Sequence, residues 1–209
     1  MCGRFMLDSD IEELLRQYRV VNREVADYNK ATIYPSENVP IVMDDKGRTL
    51  KSATWGFPLS GKGKLVINAR SESLAHKHMF KNSFNNARCI IPANLFYEWK
   101  DEGDKKKVKH EIYLKEKNII SLGGLFKVIP DDKGNKVLSF VIVTTESNSH
   151  MKDIHSRMPL IINNDALDYW LDKKTSENII EEIYKVNAMH ELSIDRINVE
   201  EPFEQMRLF

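Results

Sequence analysis

An α+β chain, with a largely antiparallel, barrel-like central sheet and peripheral helices, is written into these 209 residues. Short apolar, β-branched runs follow one another across tight turns, as strands in hairpin succession do. Four brief helical stretches are inserted between them. At 42% hydrophobic residues, the length suffices for one sizeable core, so one domain over residues 1–209 is expected.

Ile11, Leu14, Leu15 and Tyr18 fall at helical spacing, with Asp8 or Ser9 placed to cap them. A loop through Tyr34-Pro35-Ser36 leads to a strand over Val39–Met43. Asp44-Asp45-Lys46-Gly47 reads as a turn, and Thr49–Phe57 as the returning strand. Gly61-Lys62-Gly63 is a flexible break, lacking the spacing of a phosphate loop. Leu65–Ala69 predicts a buried strand, and Ser71 to Phe80 a helix. Arg88–Pro92 and Asn94–Lys100 are β segments, and Lys109–Leu114 continues beyond the turn at Asp101–Asp104. Ile119–Val128 and Val137–Thr145 pair across a loop at Asp131–Asn135. Asp165–Asp172 and Ser176–Lys185 are helical, and Leu192–Val199 is a late strand. The run Lys105–Lys109 reads as a solvated hairpin edge.

Thirty-one basic residues balance 31 acidic ones, which argues against extensive coating of nucleic acid but leaves room for a short basic groove. No apolar run is long enough to span a bilayer and no signal-peptide pattern opens the chain, so a cytoplasmic location without membrane contact is expected. Two cysteines suit a reducing compartment; Cys89, in Arg88-Cys89-Ile90-Ile91, reads as a small buried hydrophobe. The histidines fit no metal template: His76 and His78 are two apart, and neither cysteine has a CxxC partner. No metal or cofactor is expected.

Chemistry concentrates in four segments. Cys2, in Met1-Cys2-Gly3-Arg4-Phe5, becomes an N-terminal cysteine if Met1 is removed. Its α-amine (ordinary pKa about 8) can then attack an aldehyde, and its thiol can close a five-membered thiazolidine on the imine. Asn68-Ala69-Arg70-Ser71-Glu72 sets polar groups where a strand meets a helix, and Arg70 there is placed to hold a phosphate. Glu98, among the aromatics of Phe96-Tyr97-Glu98-Trp99, has the setting of a general acid–base; an outward-facing Glu on an alternating strand fits the pattern equally. His155-Ser156-Arg157-Met158-Pro159 places a proton donor beside an arginine, although a loop histidine of this kind is also compatible with a structural role.

Taken in order, these segments resemble the SRAP (SOS response-associated peptidase) family: Met-Cys-Gly-Arg-Phe at 1–5, Asn-Ala-Arg-x-Glu at 68–72, Phe-x-Glu-Trp at 96–99 and His-x-Arg-Met-Pro at 155–159. Trp55-Gly56 and Arg88–Ala93 are lesser matches, and Leu192–Asn198 a faint one. The resemblance implies a sensor of abasic sites in single-stranded DNA that links covalently to the lesion through Cys2 after Met1 removal. It implies catalytic roles for Cys2 as nucleophile, Asn68 in orienting Cys2 or the sugar, Glu98 as proton shuttle and His155 in imine chemistry and reversal. By the same resemblance Arg4, Arg70 and Arg157 clamp phosphates, while Pro35 and Trp99 pack on the sugar or a neighbouring base. The partner implied is single-stranded DNA bearing abasic sites, bound by a monomer that is nucleoid-associated when on DNA. The family label adds a thiol autopeptidase that exposes Cys2.

Two departures stand out: Thr32-Ile33-Tyr34-Pro35 keeps only the proline of the family's Asn-x-Ala-Pro, and Leu95 replaces a common glycine. Rival readings are an N-terminal-nucleophile amidotransferase, which lacks its Asn-Gly segment here, a non-covalent single-stranded DNA-binding module, and a peptidase acting on other proteins.

Overall fold

The computed structural model describes residues 2–25, 28–59, 63–104, 106–130 and 134–197. β1 (Phe5–Leu7) and α1 (Ile11–Tyr18) open the chain, followed by β2 (Asn22–Glu24), β3 (Ala31–Ile33), β4 (Asn38–Asp44) and β5 (Arg48–Trp55). Then come β6 (Phe57–Pro58), β7 (Leu65–Val66), β8 (Asn68–Arg70), α2 (His78–Asn86), β9 (Arg88–Ala93), β10 (Leu95–Asp101) and β11 (Lys107–Tyr113). β12 (Ile120–Pro130), β13 (Lys136–Glu146), β14 (Arg157–Pro159), α3 (Leu167–Leu171), α4 (Glu177–Asn187) and β15 (Ser193–Ile197) complete it.

Strands β13, β12, β9, β4 and β5 are neighbours in antiparallel register. β5 then meets β13 in parallel, Phe140 opposite Trp55, and the sheet closes into a barrel. A second sheet runs β15-β11-β10-β1-β3. The expectation of a largely antiparallel, barrel-like α+β fold is met. One apolar cluster joins the two sheets: the Phe5 ring of β1 lies 5.2 Å from Trp55, which stacks at 6.2 Å on Phe140 of the barrel. Buried Cys89 belongs to this cluster, its Sγ 3.1 Å from where a Cβ on Gly124 would stand. No described helix is long and apolar enough to cross a membrane.

Several expected boundaries move, each for a local reason. Asp10, not Asp8 or Ser9, caps α1, and it does so without a side-chain hydrogen bond. Asp8 and Ser9 are taken up by Asn94, whose Oδ1 accepts from Asp8 N at 2.6 Å and whose Nδ2 donates to Ser9 Oγ at 3.1 Å. The strand expected through Phe57 stops at Gly56, whose φ of +120° turns the chain after Trp55. Ser71–Ser73 form only a 3-10 turn, and the helix begins at His78. It extends through Asn86 because Phe80, Ser83 and Phe84 form an inward face that carries its asparagine-rich, weakly helical end. β15 covers β11 from Lys109 to Tyr113, while Lys106 and Lys107, at the hairpin, are exposed. Gly61 and Lys62, Lys105, residues 131–133 of the hairpin loop, and the last two residues of the expected late strand lie outside the described residues.

Buried Arg88 fastens the helices to the barrel. Its guanidinium donates to Phe84 O at 2.7 Å, to Trp170 O at 2.6 Å and to Asp172 O, satisfying carbonyls where α2 and α3 end. Replacing Arg88 by Met keeps the length of the side chain but strips these carbonyls of their donors. Arg88→Met is expected to cost about 3 kcal/mol of unfolding free energy, seen as a lower denaturant midpoint; an unchanged midpoint would rule this fastening out.

Candidate functional site

β1 gives Cys2 a fixed place. Phe5 lies opposite Phe96 in antiparallel register, and Arg4 O accepts from Tyr97 N at 2.9 Å. The same register carries Gly3 to the level of Glu98. Alternation along β10 puts Glu98 on the face of buried Phe96, and the Glu98 side chain is itself buried. Cys2 is fully buried, its carbonyl accepting from Asn68 Nδ2 at 2.9 Å and its Sγ lying 3.8 Å from Arg4 O. Asn68 opens β8, which runs parallel to β13 with Asn68 opposite Ile142.

Burial pushes the Cys2 thiol well above its ordinary pKa, and the negative charge of Glu98 adds to the shift. At neutral pH the sulfur is therefore a thiol, not a thiolate. Cys89 is raised as well, by burial alone. Among the described residues no three His, Cys, Asp or Glu side chains gather as a metal ligand set.

His155 precedes β14, and its Nδ1 lies 2.9 Å from the Arg157 backbone nitrogen and 3.2 Å from the Arg157 carbonyl oxygen. β14 flanks β13, Arg157 opposite Glu146, so the segments that carry Asn68 and His155 both join the end of β13.

The expected phosphate-binding residues fall into three situations. Arg70 is exposed at the end of β8, as a clamp requires. Arg4 is half-buried, its guanidinium held between two rings, 4.5 Å from the centroid of Tyr34 and 4.8 Å from that of Trp99. Arg157 instead turns inward: its amino nitrogens meet the Glu72 carboxylate at 2.7 and 3.0 Å, and the side chain is only 12% exposed. That geometry ties the turn after β8 to β14. Pro35 is buried, because Ser36 N donates to Trp55 O at 2.8 Å and pins the loop to β5. Tyr34 is the residue of that loop that presents a ring beside Arg4. Sequence reasoning gave Tyr34 and Glu72 no role; position beside Pro35 and membership of the 68–72 segment were the available signals.

Because Glu98 helps keep Cys2 protonated, Glu98→Gln is expected to lower the Cys2 pKa and raise the rate of Cys2 alkylation by iodoacetamide several-fold. Cys89, which has no such neighbour, should not change. Peptide mapping by mass spectrometry separates the two sites, and equal rates for wild type and variant at Cys2 would remove Glu98 from the thiol's surroundings.

The chain matches the family described as SOS response associated peptidase (SRAP) over residues 1–200. It is 34% identical over 185 residues to the abasic site processing protein YoqW of Bacillus subtilis (strain 168), covering 85% of this chain and 83% of that protein. It is 29% identical over 190 residues to the abasic site processing protein YedK of Escherichia coli (strain K12), covering 88% and 85%. Among solved structures, a protein from Bacteroides thetaiotaomicron superposes with a TM-score of 0.80 at 21% identity, over 94% of this chain and 92% of that one, and so shares the fold. With the family match running nearly end to end and a relative above 30% identity over most of both chains, this chain belongs to the SRAP family.

Proposed function

We propose that this protein recognises abasic sites in single-stranded DNA and links to them covalently through Cys2. The observation that carries the reading is Cys2 itself: next to the start of the chain, it is fully buried, tethered through its carbonyl to Asn68, and close enough to Glu98 for that carboxylate to shift its thiol. An N-terminal residue held this firmly is arranged for chemistry at its own amine. The relatives named abasic site processing proteins supply the matching substrate class.

The reaction needs Met1 removed, and to the peptidase of the family description we assign this cleavage of the chain's own first bond. The α-amine of Cys2 adds to the C1′ aldehyde of the ring-opened deoxyribose, and loss of water gives an imine. The thiol then adds across the C=N bond, sulfur to carbon and its proton to nitrogen, closing a thiazolidine. Since the thiol is held protonated, the amine is the first nucleophile and the sulfur the second. Glu98 carries protons between water, nitrogen and sulfur; Asn68 orients the reacting backbone; His155 supplies an N–H donor to the departing oxygen and assists reversal. Arg4, fixed between Tyr34 and Trp99, and exposed Arg70 hold flanking phosphates, with the two rings available for base stacking. The protein acts as a monomer on short single-stranded segments, which a chain of zero formal charge can bind through a few arginines.

Intact-mass spectrometry of the mature protein with an oligonucleotide bearing one abasic site tests the reading. A covalent adduct that maps to Cys2 and is abolished in Cys2→Ala is expected; an adduct that persists in this variant overturns the mechanism. In Glu98→Gln the single-turnover crosslinking rate is expected to fall by about a hundredfold, the scale of a general acid–base contribution. A processed protein that forms no adduct but hydrolyses glutamine would turn the assignment to an amidotransferase.

A further inference from the structure

The outer face of the second sheet carries a cation that the reaction above does not use. Side chains alternate along β11: Val108, His110 and Ile112 are buried, whereas exposed Lys107 and half-buried Lys109 take the opposite face. Antiparallel register sets Lys109 opposite Trp99 of β10, so these two side chains share that face. Arg4 reaches the same ring from the β1 side, its guanidinium 4.8 Å from the Trp99 centroid. Lys109 is steadied by its diagonal neighbour, with Nζ 4.4 Å from the centroid of buried Tyr97. Trp99 thus lies between two cations, and β10 separates the backbones that carry them by two strand spacings, about 10 Å.

The charges around Lys109 give this face a direction. Towards the end of β11 it turns acidic, with Glu111 opposite Asp195. Towards the hairpin it turns basic: Lys106 and Lys107 are exposed, and Glu102 is already met by Arg196 at 3.1 Å and by Lys106 at 3.5 Å. Asp101, opposite Lys107, accepts from Gly103 N at 2.9 Å. A polyanion that passes Arg4 therefore meets Lys109 next and is turned towards the hairpin, away from Glu111. Resting on the abasic-site reading for single-stranded DNA as the ligand, we infer that Lys109 is a further phosphate-binding residue. It takes the phosphodiester next to the one held at Arg4, with the intervening base against Trp99, and so extends the bound strand on one side of the lesion only. The Tyr97 ring carries the lysine stem and places the ammonium beforehand, which reduces the rotamer freedom lost when the phosphate arrives.

The test uses the mature full chain with Lys109→Met, which keeps the stem over Tyr97 but loses the charge, and with Lys109→Arg. Lys174→Met, at an exposed lysine between α3 and α4, controls for net charge. Affinity for an intact single-stranded oligonucleotide is read by fluorescence anisotropy over a range of salt. Lys109→Met is expected to weaken binding about fivefold and to reduce the slope of log affinity against log salt by about 0.7, the share of one phosphate on a single strand. Lys109→Arg should retain both, and Lys174→Met should change neither. With abasic oligonucleotides at limiting concentration, the crosslinking deficit of Lys109→Met should vanish when one flank of the lesion is trimmed and persist when the other is. Unchanged affinity and slope in Lys109→Met overturn the inference, as does an equal loss in Lys174→Met or a deficit indifferent to which flank is trimmed. If wild type binds the intact strand but forms no adduct, the abasic-site reading falls alone, and the salt slope still decides the role of Lys109. A wild type that binds no single strand overturns both.

Discussion

Two short strands meeting the same edge of β13 in parallel are the constraint on which the rest of this structure depends. β5 pairs with Ser139 and Phe140, and β8 continues along the same edge from Ile142 to Thr144. The first pairing closes the barrel. The second brings Asn68 to the place where Cys2 must be held. Gly56 lies between them in sequence, its N–H donating to Phe140 O at 2.8 Å, and its left-handed φ lets the chain leave the edge and return to it. Between its two edges, β13 thus carries both the closure of the fold and the alignment of the site.

The site is assembled from segments far apart in sequence but short of any mobile connection to the core. Phe5 plugs against Trp55 three residues after Cys2, so the chain start cannot swing away without opening the apolar cluster. Asn68 sits next to buried Ala69, and His155 follows buried Met151. Each polar group is one to four residues from a buried anchor, a spacing that fixes a side chain more tightly than a long loop can.

Much of this was legible in the sequence, and the reasons for the remainder are physical. Long apolar strands such as β12 and β13 announce themselves because their burial is continuous, and α1 because its apolar face repeats at helical spacing. β1, β3 and β14 escaped, being three residues each, too short for any alternation to register. Glu98 could be read as outward or inward from pattern alone; only pairing with the Cys2 segment places it inside. Arg157 shows its charge in the sequence but not the carboxylate 85 residues away that pairs with it. One backbone hydrogen bond to β5, likewise invisible in the sequence, pins the loop in which Pro35 is buried and Tyr34 lies half-buried beside Arg4.

Full burial of Cys2 has one more consequence. The thiolate is the form of cysteine that peroxides attack on the way to sulfenic and then irreversible sulfinic acid. A sulfur enclosed by apolar surroundings and kept protonated beside a carboxylate offers little of that form. In the proposed reaction this enclosure delays the sulfur until the amine has acted, and it also shelters the thiol from oxidants. The fold thus stores this cysteine in the form that oxidants attack least.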